Sequence, residues 1–405
     1  MLQSSATRVR GVMDGKNRAK TGGERFLALD SVRGLLASTI VFFHLPTDGW
    51  IWTFKFVQNG FLAVTFFFVL SGFVIGTTYG DRLAQGFPLG RFLGLRLGRI
   101  YPLHLFMILL MIAFQAMRVW LDIGVARDVP PFSDRFAPWL LPYNFLLLQK
   151  FSGTLSWNDP SWSIGVEWWT YVIFAVLAIF IVMRRGLTAI AILMILPWLG
   201  FTLSRVYAGA GWDETFACMM NFGLGLIVCD MRRWPLWRLT DKLGLISGTL
   251  LELVTLAIGF WMINHFGGKL SPLIAPTFAF MIATFCLERG WVSRLLVTAP
   301  MRLIGELSYS IYMIHHFILD RMVDVIWFYG DAWHLPIYAT ATGRTIVAGN
   351  WIACDLFSLL VLAVVLGLSV LSFRYIEKPA RLWSRRVLNP NHSEKVTPRD
   401  PTAAF

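Results

Sequence analysis

The sequence predicts an all-α, polytopic transmembrane helix bundle. Of its 405 residues, 56% are hydrophobic and 15% are charged, whereas soluble proteins carry about 25% charged residues. The apolar residues fall in runs of about 20, the length of helix that crosses a bilayer. Because lipid cannot satisfy bare backbone groups, runs of this length indicate helices.

About ten apolar runs divide the chain. Short polar or basic connectors separate them, as in a multi-pass membrane protein. A further apolar piece, 138–149, is too short to span comfortably, and we expect it to lie in the interface or to dip into the membrane. The predicted spans cover residues 26–45, 56–79, 100–120, 161–183, 187–203, 213–230, 243–264, 272–288, 304–326 and 351–373.

The basic residues predict the orientation of the bundle. With the N-terminus assigned to the cytoplasm, 26 Lys and Arg fall in cytoplasmic segments and 8 in external ones, counting Arg118 at the outer end of its span as external, while Arg33 and Arg321 lie inside spans. This bias follows the positive-inside rule and predicts that both termini are cytoplasmic. It also accounts for the net charge of +12, and no nucleic-acid-binding module is found. We expect basic cytoplasmic tails over 1–25 and 376–405, the second of them mobile, around a transmembrane domain over 26–375.

The first predicted span carries ionisable side chains, which are costly in a membrane and point to function. Arg33 and His44 are eleven residues apart, so they share a helix face at a separation of about 16 Å. Asp30 precedes Arg33 by three residues and is expected to pair with it. The alternative is that Arg33 reaches to the membrane surface and His44 lies at the opposite interface.

Two arginines lie at the start of the third predicted span. Arg96 and Arg99 are three residues apart, so both guanidinium groups can meet one ligand. The planar guanidinium suits phosphate, which predicts a phosphate clamp. The alternative is ordinary anchoring at the cytoplasmic surface.

A glutamate lies inside the fourth predicted span. Ser163 and Glu167 are four residues apart and share a face, next to Trp162. A glutamate at this depth needs a partner or a water-filled cavity. The alternative is stabilisation by the N-terminal end of the helix dipole.

Polar side chains also line one face of the ninth predicted span. Ser308, Tyr312 and His315 share this face, and the alternative to a functional role is a network of interhelical hydrogen bonds. The adjacent His315 and His316 point about 100° apart and are poor co-ligands, so no metal site is expected. Glu252, in the seventh span, is expected to pair with a neighbouring helix.

Six short segments follow one another along the chain: LDSVRG with His44, Ser71-Gly72-Phe73, Arg96 to Pro102, Trp162 to Glu167, GELSYSIYMIHHF, and FRYIEKPAR. In this order they resemble the signatures of the membrane acyltransferase-3 family. Each is weak alone, but six in order are specific. Two differ mildly from the family pattern, with Ile164 in place of leucine and Lys378 in place of the common arginine.

This resemblance implies an O-acyltransferase in the bacterial inner membrane. Its donor would be an acyl-CoA, acetyl-CoA being the first expectation, and its acceptor a glycan or glycolipid hydroxyl. Histidine is suited to take the proton of that hydroxyl. The resemblance assigns this role to His44. The other candidates are Glu167 and Asp30 for catalysis, Arg96, Arg99, Arg33, Tyr312 and His315 for the donor, and Ser163 and Trp162 for the acceptor.

The main rival function is a transporter or flippase for a lipid-linked glycan or small molecule. Ten spans with charges inside them fit such a protein. Against it, the sequence shows no inverted repeat and no pair of broken helices. Some acyltransferase-3 relatives carry an extra hydrolase-like domain, and the given sequence has no segment of that size after the last span, so no relay within this chain is expected.

Overall fold

A computed structural model of the protein describes residues 25–126, 129–203, 212–266, 271–340 and 346–388. The basic N-terminal tail, apart from Arg25, and the last 17 residues lie outside this part of the chain. Each predicted apolar run contains a helix, although several runs extend a few residues past the helix ends and the run 56–79 is interrupted by a turn at 59–61. The longer helices are α1 (Leu27–Phe43), α4 (Leu62–Ala84), α5 (Leu89–Leu121), α7 (Ser161–Leu203), α8 (Trp212–Met231), α9 (Leu245–Phe266), α10 (Ser271–Phe285), α12 (Ala299–Tyr329) and α13 (Trp351–Ser372).

Short elements connect these helices. The segment expected to lie in the interface or dip into the membrane is a 3-10 turn, Pro138–Leu140, followed by a five-residue helix, so it is too short to span. Short elements are α2 (Trp50–Thr53), α3 (Lys55–Gln58), α6 (Leu141–Phe145), α11 (Trp291–Leu296), α14 (Lys378–Leu388), the 3-10 turns Asp134–Phe136 and Pro235–Lys242, and the π-helical turn Phe373–Glu377. The chain also forms a feature the all-α prediction lacks, an antiparallel pair of strands β1 (Ile337–Ala339) and β2 (Val347–Gly349).

Six helices in the described chain are long and apolar enough to cross a membrane. Helix α1 has 17 residues and carries Asp30 and Arg33, and α12 carries several charged side chains, so neither is uniformly apolar. The count of ten spans and the cytoplasmic placement of both ends remain predictions. The six are Leu62–Ala84, Leu89–Leu121, Ser161–Ala178, Glu214–Met231, Leu245–Phe266 and Trp351–Leu388.

The boundary predicted inside α7 is confirmed. Two spans were expected to meet near residues 184–186, and the backbone leaves the helical region at Gly186, where φ is 77° and ψ is 177°. Glycine tolerates this left-handed φ without the steric cost other residues incur. The helix therefore breaks at one residue, and its two parts are separate helices.

Glycines bring two pairs of helices into close contact. A Cβ atom added to Gly72 on α4 would collide with the backbone of Phe222 on α8, and one added to Gly225 would collide with Val69. Likewise, Gly34 on α1 faces the backbone of α12. Helices in a membrane associate through such close packing, because lipid gives no hydrophobic drive between them. The α1–α12 and α4–α8 contacts fix the framework around the site.

Glu252 illustrates how a buried charge is satisfied in this fold. Its carboxylate accepts hydrogen bonds from the backbone N–H groups of Gly290 and Ser293, at 2.8 and 3.2 Å, and from the Ser293 hydroxyl at 2.5 Å. These donors lie at the start of α11, so the predicted pairing with a neighbouring element is confirmed. Glu252 stabilises the α9–α11 contact.

The prediction of a mobile tail from residue 376 is wrong up to residue 388. Helix α14 packs against α5, with Ser384 beside Gly98. Glu377, 1% exposed, accepts a hydrogen bond from Ser310 Oγ at 2.8 Å and pairs with Arg381. The sequence predicted a solvated tail because it is charged and polar, but this carboxylate is buried between Arg381 of its own segment and Ser310 of α12.

Candidate active site

A cavity of about 100 Å³ lies among α1, α4, α5, α7 and α12. Its walls mix phenylalanine and aliphatic side chains with a dense set of polar groups. Three of the polar groups are arginines. The polar lining residues are Arg33, Ser71, Arg96, Arg99, Ser163, Glu167, Tyr171, Ser308, Tyr309 and Tyr312. We call this space the arginine cavity.

The arginines of this cavity are only partly engaged by the protein. Arg33 Nε donates to Ser308 Oγ at 2.7 Å, and its Nη2 lies 3.2 Å from Asp30, which confirms the predicted pair. Arg96 Nη2 donates to Tyr79 Oη at 3.2 Å, whereas its buried Nε has no hydrogen-bond partner. A buried donor without a partner is costly. An anionic ligand would supply the missing acceptor.

Glu167 faces the same cavity and has a partner on its own helix. Tyr171 Oη donates to Glu167 Oε1 at 2.5 Å and lies 2.7 Å from Ser71 Oγ. This hydrogen bond satisfies one carboxylate oxygen of the glutamate. The depth of Glu167 in its span predicted that it needs a partner, and Tyr171 is that partner.

Two hydroxyl groups meet at one wall of the arginine cavity. Tyr312 Oη and Ser163 Oγ are 2.8 Å apart, and both lie within hydrogen-bonding distance of the Pro160 carbonyl, at 3.1 and 3.0 Å. Because a carbonyl only accepts, each hydroxyl can donate to it. The pair links α12 to the start of α7.

A second cavity, of about 330 Å³, adjoins the C-terminal end of α1. His44 and His316 are among its lining residues, together with acidic and basic side chains. We call this space the histidine cavity. Its polar lining residues are His44, Gln115, Arg118, Asp134, Arg135, His316, Asp320, Arg321 and Asp324.

One turn of α12 joins the two cavities. Tyr312 lines the arginine cavity, and His316, four residues later, lines the histidine cavity. Between them, His315 is fully buried and places its Nε2 3.2 Å from His44 Nδ1. His44 therefore lines the histidine cavity and also contacts the turn of α12 that borders the arginine cavity.

The acyltransferase domain model matches residues 26–373 of the sequence. The chain belongs to the acyltransferase-3 family. This match covers nearly the whole part of the chain that the structure describes, so both cavities lie inside the family's domain.

The chain is also similar to curated relatives within this family. It is 26% identical to YrhL of Bacillus subtilis, a candidate peptidoglycan O-acetyltransferase, over 91% of this chain and 58% of YrhL. It is 25% identical to the peptidoglycan O-acetyltransferase OatA of Listeria monocytogenes, over 87% of this chain and 55% of OatA. The chain thus spans little more than half the length of these relatives. No solved structure matches it significantly.

Most of the predicted site residues of this family member meet at the cavities. Arg33, Arg96, Arg99, Ser163, Glu167 and Tyr312 all line the arginine cavity, and His44 lines the other. No group of three His, Cys, Asp or Glu side chains suited to a metal occurs among the described residues.

Asp30 and Trp162 lie outside the lining of both cavities. Asp30 is held by Arg33 and by Arg25, whose Nε donates to it at 3.0 Å. Trp162 packs its ring beneath the ammonium of Lys150, at 5.5 Å. Asp30 thus orients Arg33, and the contact of Trp162 with an acceptor stays a prediction.

The histidine cavity itself was missed from the sequence. Its acidic residues Asp320 and Asp324 lie one and two turns after His316 on α12 and share its face, which is a helical signal that could have been read. Gln115 and Arg118 join the cavity from α5, where they are three residues apart and hydrogen-bonded to each other at 2.9 Å. The His44–His315 contact joins residues 271 positions apart.

Proposed function

We propose that this chain is an integral membrane O-acyltransferase. It moves an acyl group, acetyl in the first instance, from acyl-CoA to a hydroxyl of a cell-surface or exported glycan in the bacterial inner membrane. The observation that carries the proposal is the arrangement on α12, where one turn separates an arginine-lined cavity from a histidine-lined one. Family membership supplies the reaction class.

The arginine cavity is assigned to the donor. Coenzyme A carries several negative charges, and Arg96 offers a buried N–H without a partner. Bidentate arginine contacts are strong and selective for phosphate. The cavity of about 100 Å³ is well below the roughly 300–1,000 Å³ of usual ligand pockets. It therefore takes only the narrow acyl-thioester arm and the phosphates next to it, which meet the arginines, while the adenosine stays outside.

The histidine cavity is assigned to the acceptor. Its volume of about 330 Å³ suits one or two sugar units by the usual scale of ligand pockets, roughly 300–1,000 Å³. Carboxylates, guanidinium groups and Gln115 offer acceptors and donors for hydroxyl groups. YrhL and OatA bear names that assign them to peptidoglycan O-acetylation, which supports a glycan acceptor here.

The chemistry follows from the position of His44. As general base, it takes the proton of the acceptor hydroxyl while the oxygen attacks the thioester carbonyl. The carbon–sulfur bond of the tetrahedral intermediate then breaks, and the coenzyme A thiolate receives the proton from His44. The hydroxyls of Tyr312 and Ser163 are the proposed donors to the oxyanion. Both hydroxyl groups bond to the Pro160 carbonyl in this structure, so acyl transfer requires them to rotate away from it toward the oxyanion.

The experiment has a cellular and a purified part. In a strain lacking the gene, mass spectrometry of surface glycans should show loss of one acyl increment, which restoring the wild-type gene returns. Purified protein should release thiol from acetyl-CoA when given glycan extracted from the deletion strain. No thiol release in the presence of that glycan, together with an unchanged glycan profile, would favour the transporter alternative.

His44→Ala is the decisive variant. Loss of the general base should lower kcat at least about 1,000-fold, which lies within the usual contribution of general base catalysis. The matched control is His265→Ala, because His265 lies exposed on α9 and lines neither cavity. Full activity of the His44 variant would remove the proposed mechanism.

A further inference from the structure

His315 is a fully buried imidazole that lines neither cavity, although it touches the residue proposed as base. A buried polar ring of this kind needs a hydrogen-bond partner for each nitrogen that could bond. Its Nδ1 lies 2.7 Å from the Tyr312 carbonyl, and its Nε2 lies 3.2 Å from His44 Nδ1. Both ring nitrogens are therefore engaged.

The backbone partners decide where the protons lie. A carbonyl only accepts, so His315 Nδ1 carries the proton that it donates to Tyr312. In the neutral ring, His315 Nε2 is then a lone-pair acceptor. His44 Nδ1 also faces a carbonyl, that of Ile40 at 3.1 Å. It therefore carries a proton, which it shares between Ile40 and His315, and His44 Nε2 is left with the free lone pair.

We infer that His315 is the positioning residue for His44, fixing its tautomer and orientation and accepting a stronger hydrogen bond from its imidazolium. This inference rests on the proposed role of His44 as base. Once His44 Nε2 takes the hydroxyl proton, the bond from His44 Nδ1–H to His315 becomes charge-assisted and strengthens. A triad aspartate does the same for its histidine, and here a neutral imidazole takes that place.

His316 does not take this role. Its ring centroid lies 5.7 Å from that of His44, and its Nδ1 and Nε2 point to Asp320 and Asp159, at 3.4 and 3.7 Å. Asp159 also pairs with Arg135 at 3.4 Å. These carboxylates orient His316 at the wall of the histidine cavity. His44 is instead oriented by His315, the residue before His316 on α12.

Three substitutions of His315 separate positioning from packing. In His315→Gln the side-chain amide reaches as far as Nε2 and can accept from His44. In His315→Asn it reaches only as far as Nδ1, so it retains the contact with Tyr312 and loses the one with His44. His315→Leu fills a similar volume with no polar atom.

The measurements are kcat and KM for acetyl-CoA and for surface glycan extracted from the deletion strain, on full-length protein in detergent. We expect His315→Gln to stay within about 10-fold of wild-type kcat, and His315→Asn and His315→Leu to fall about 100-fold or more, with both KM values within about 2-fold. Elution on size exclusion and melting temperature confirm folding. Because Asn and Leu test the same loss, either one suffices if the other fails to fold.

Equal kcat for Gln, Asn and Leu would overturn the inference, as would a change confined to KM. The His44→Ala variant separates this failure from that of the proposed function. If His44→Ala is inactive and all three His315 variants are active, only the positioning role fails. If His44→Ala is active, the base assignment itself fails.

Discussion

The arginine cavity and the histidine cavity lie one helical turn apart and differ in almost every physical respect. The first is small, about 100 Å³, and its cationic groups outnumber its single carboxylate, Glu167. The second is about three times larger and balances arginines against aspartates. The first therefore favours a thin anionic ligand, whereas the second favours a neutral ligand rich in hydroxyl groups. If the two spaces hold different substrates, a substitution in one should change the KM for one substrate alone.

Among substitutions that test this difference, the largest effect is expected in the arginine cavity. Arg96→Ala combined with Arg99→Ala should raise the KM for acetyl-CoA about 100-fold, since each charge-assisted hydrogen bond contributes about 1.5–3 kcal/mol. The KM for the extracted glycan should stay within about 2-fold. Steady-state thiol release, with each substrate varied in turn, measures both constants.

The control for this pair is Arg302→Ala, an exposed arginine near the start of α12 that lines neither cavity. It should leave both KM values unchanged. Equal increases for donor and glycan in the double variant would show that Arg96 and Arg99 hold the bundle together and do not select the donor.

A smaller effect is expected on the histidine side. Asp320→Asn removes a carboxylate from the larger cavity and from His316, 3.4 Å away. The KM for the glycan should rise about 10-fold, the loss of about 1.4 kcal/mol of binding free energy. The KM for acetyl-CoA should not move. Asp331→Asn, an exposed residue just after α12, is the matched control.

A rise in the KM for acetyl-CoA alone would reverse the assignment of the two cavities. A rise in neither constant would show that Asp320 serves only to hold His316.

The smallest expected effect lies at the boundary between the cavities. Tyr312→Phe removes a hydroxyl that meets Ser163 and Pro160, while Ser163 keeps its own bond to the Pro160 carbonyl. The fold should therefore persist. We expect kcat to fall about 5-fold with both KM values unchanged, because Ser163 remains as a donor and the net worth of one hydrogen bond is about 1 kcal/mol. Single-turnover acyl transfer measures this step directly, and an unchanged rate would remove Tyr312 from the chemistry.

The difference between the cavities also shows what sequence reasoning could reach. Pairs on a single helix follow from spacing, and this predicted the Asp30–Arg33 ion pair and the shared helix face of Ser163 and Glu167, which the structure places in one cavity. The helices themselves followed from apolar runs, and the break near Gly186 from the gap between the runs 161–183 and 187–203. The arginine cavity was therefore largely predictable, because its key polar groups come in such local pairs.

The histidine cavity was not predictable in the same way. The contact of His44 with His315 depends on how α1 packs against α12, and helical spacing within either one says nothing about it. The same holds for Glu377, whose hydrogen bond to Ser310 holds against α12 a segment that the sequence predicted to be mobile. Long-range packing creates both contacts, and the close approach of Gly34 to α12 permits the first of them.

The folded C-terminal segment has a practical consequence for mapping the sidedness of this protein. Reporter enzymes joined at residue 375, where the apolar runs end, would cut away Glu377 and leave Ser310 without its acceptor. They would also remove α14 from beside Gly98. Fusions placed beyond residue 388 keep both contacts, that of Glu377 with Ser310 and that of α14 with Gly98. Readings from the two junctions should therefore diverge, and only the longer one would report on the native arrangement.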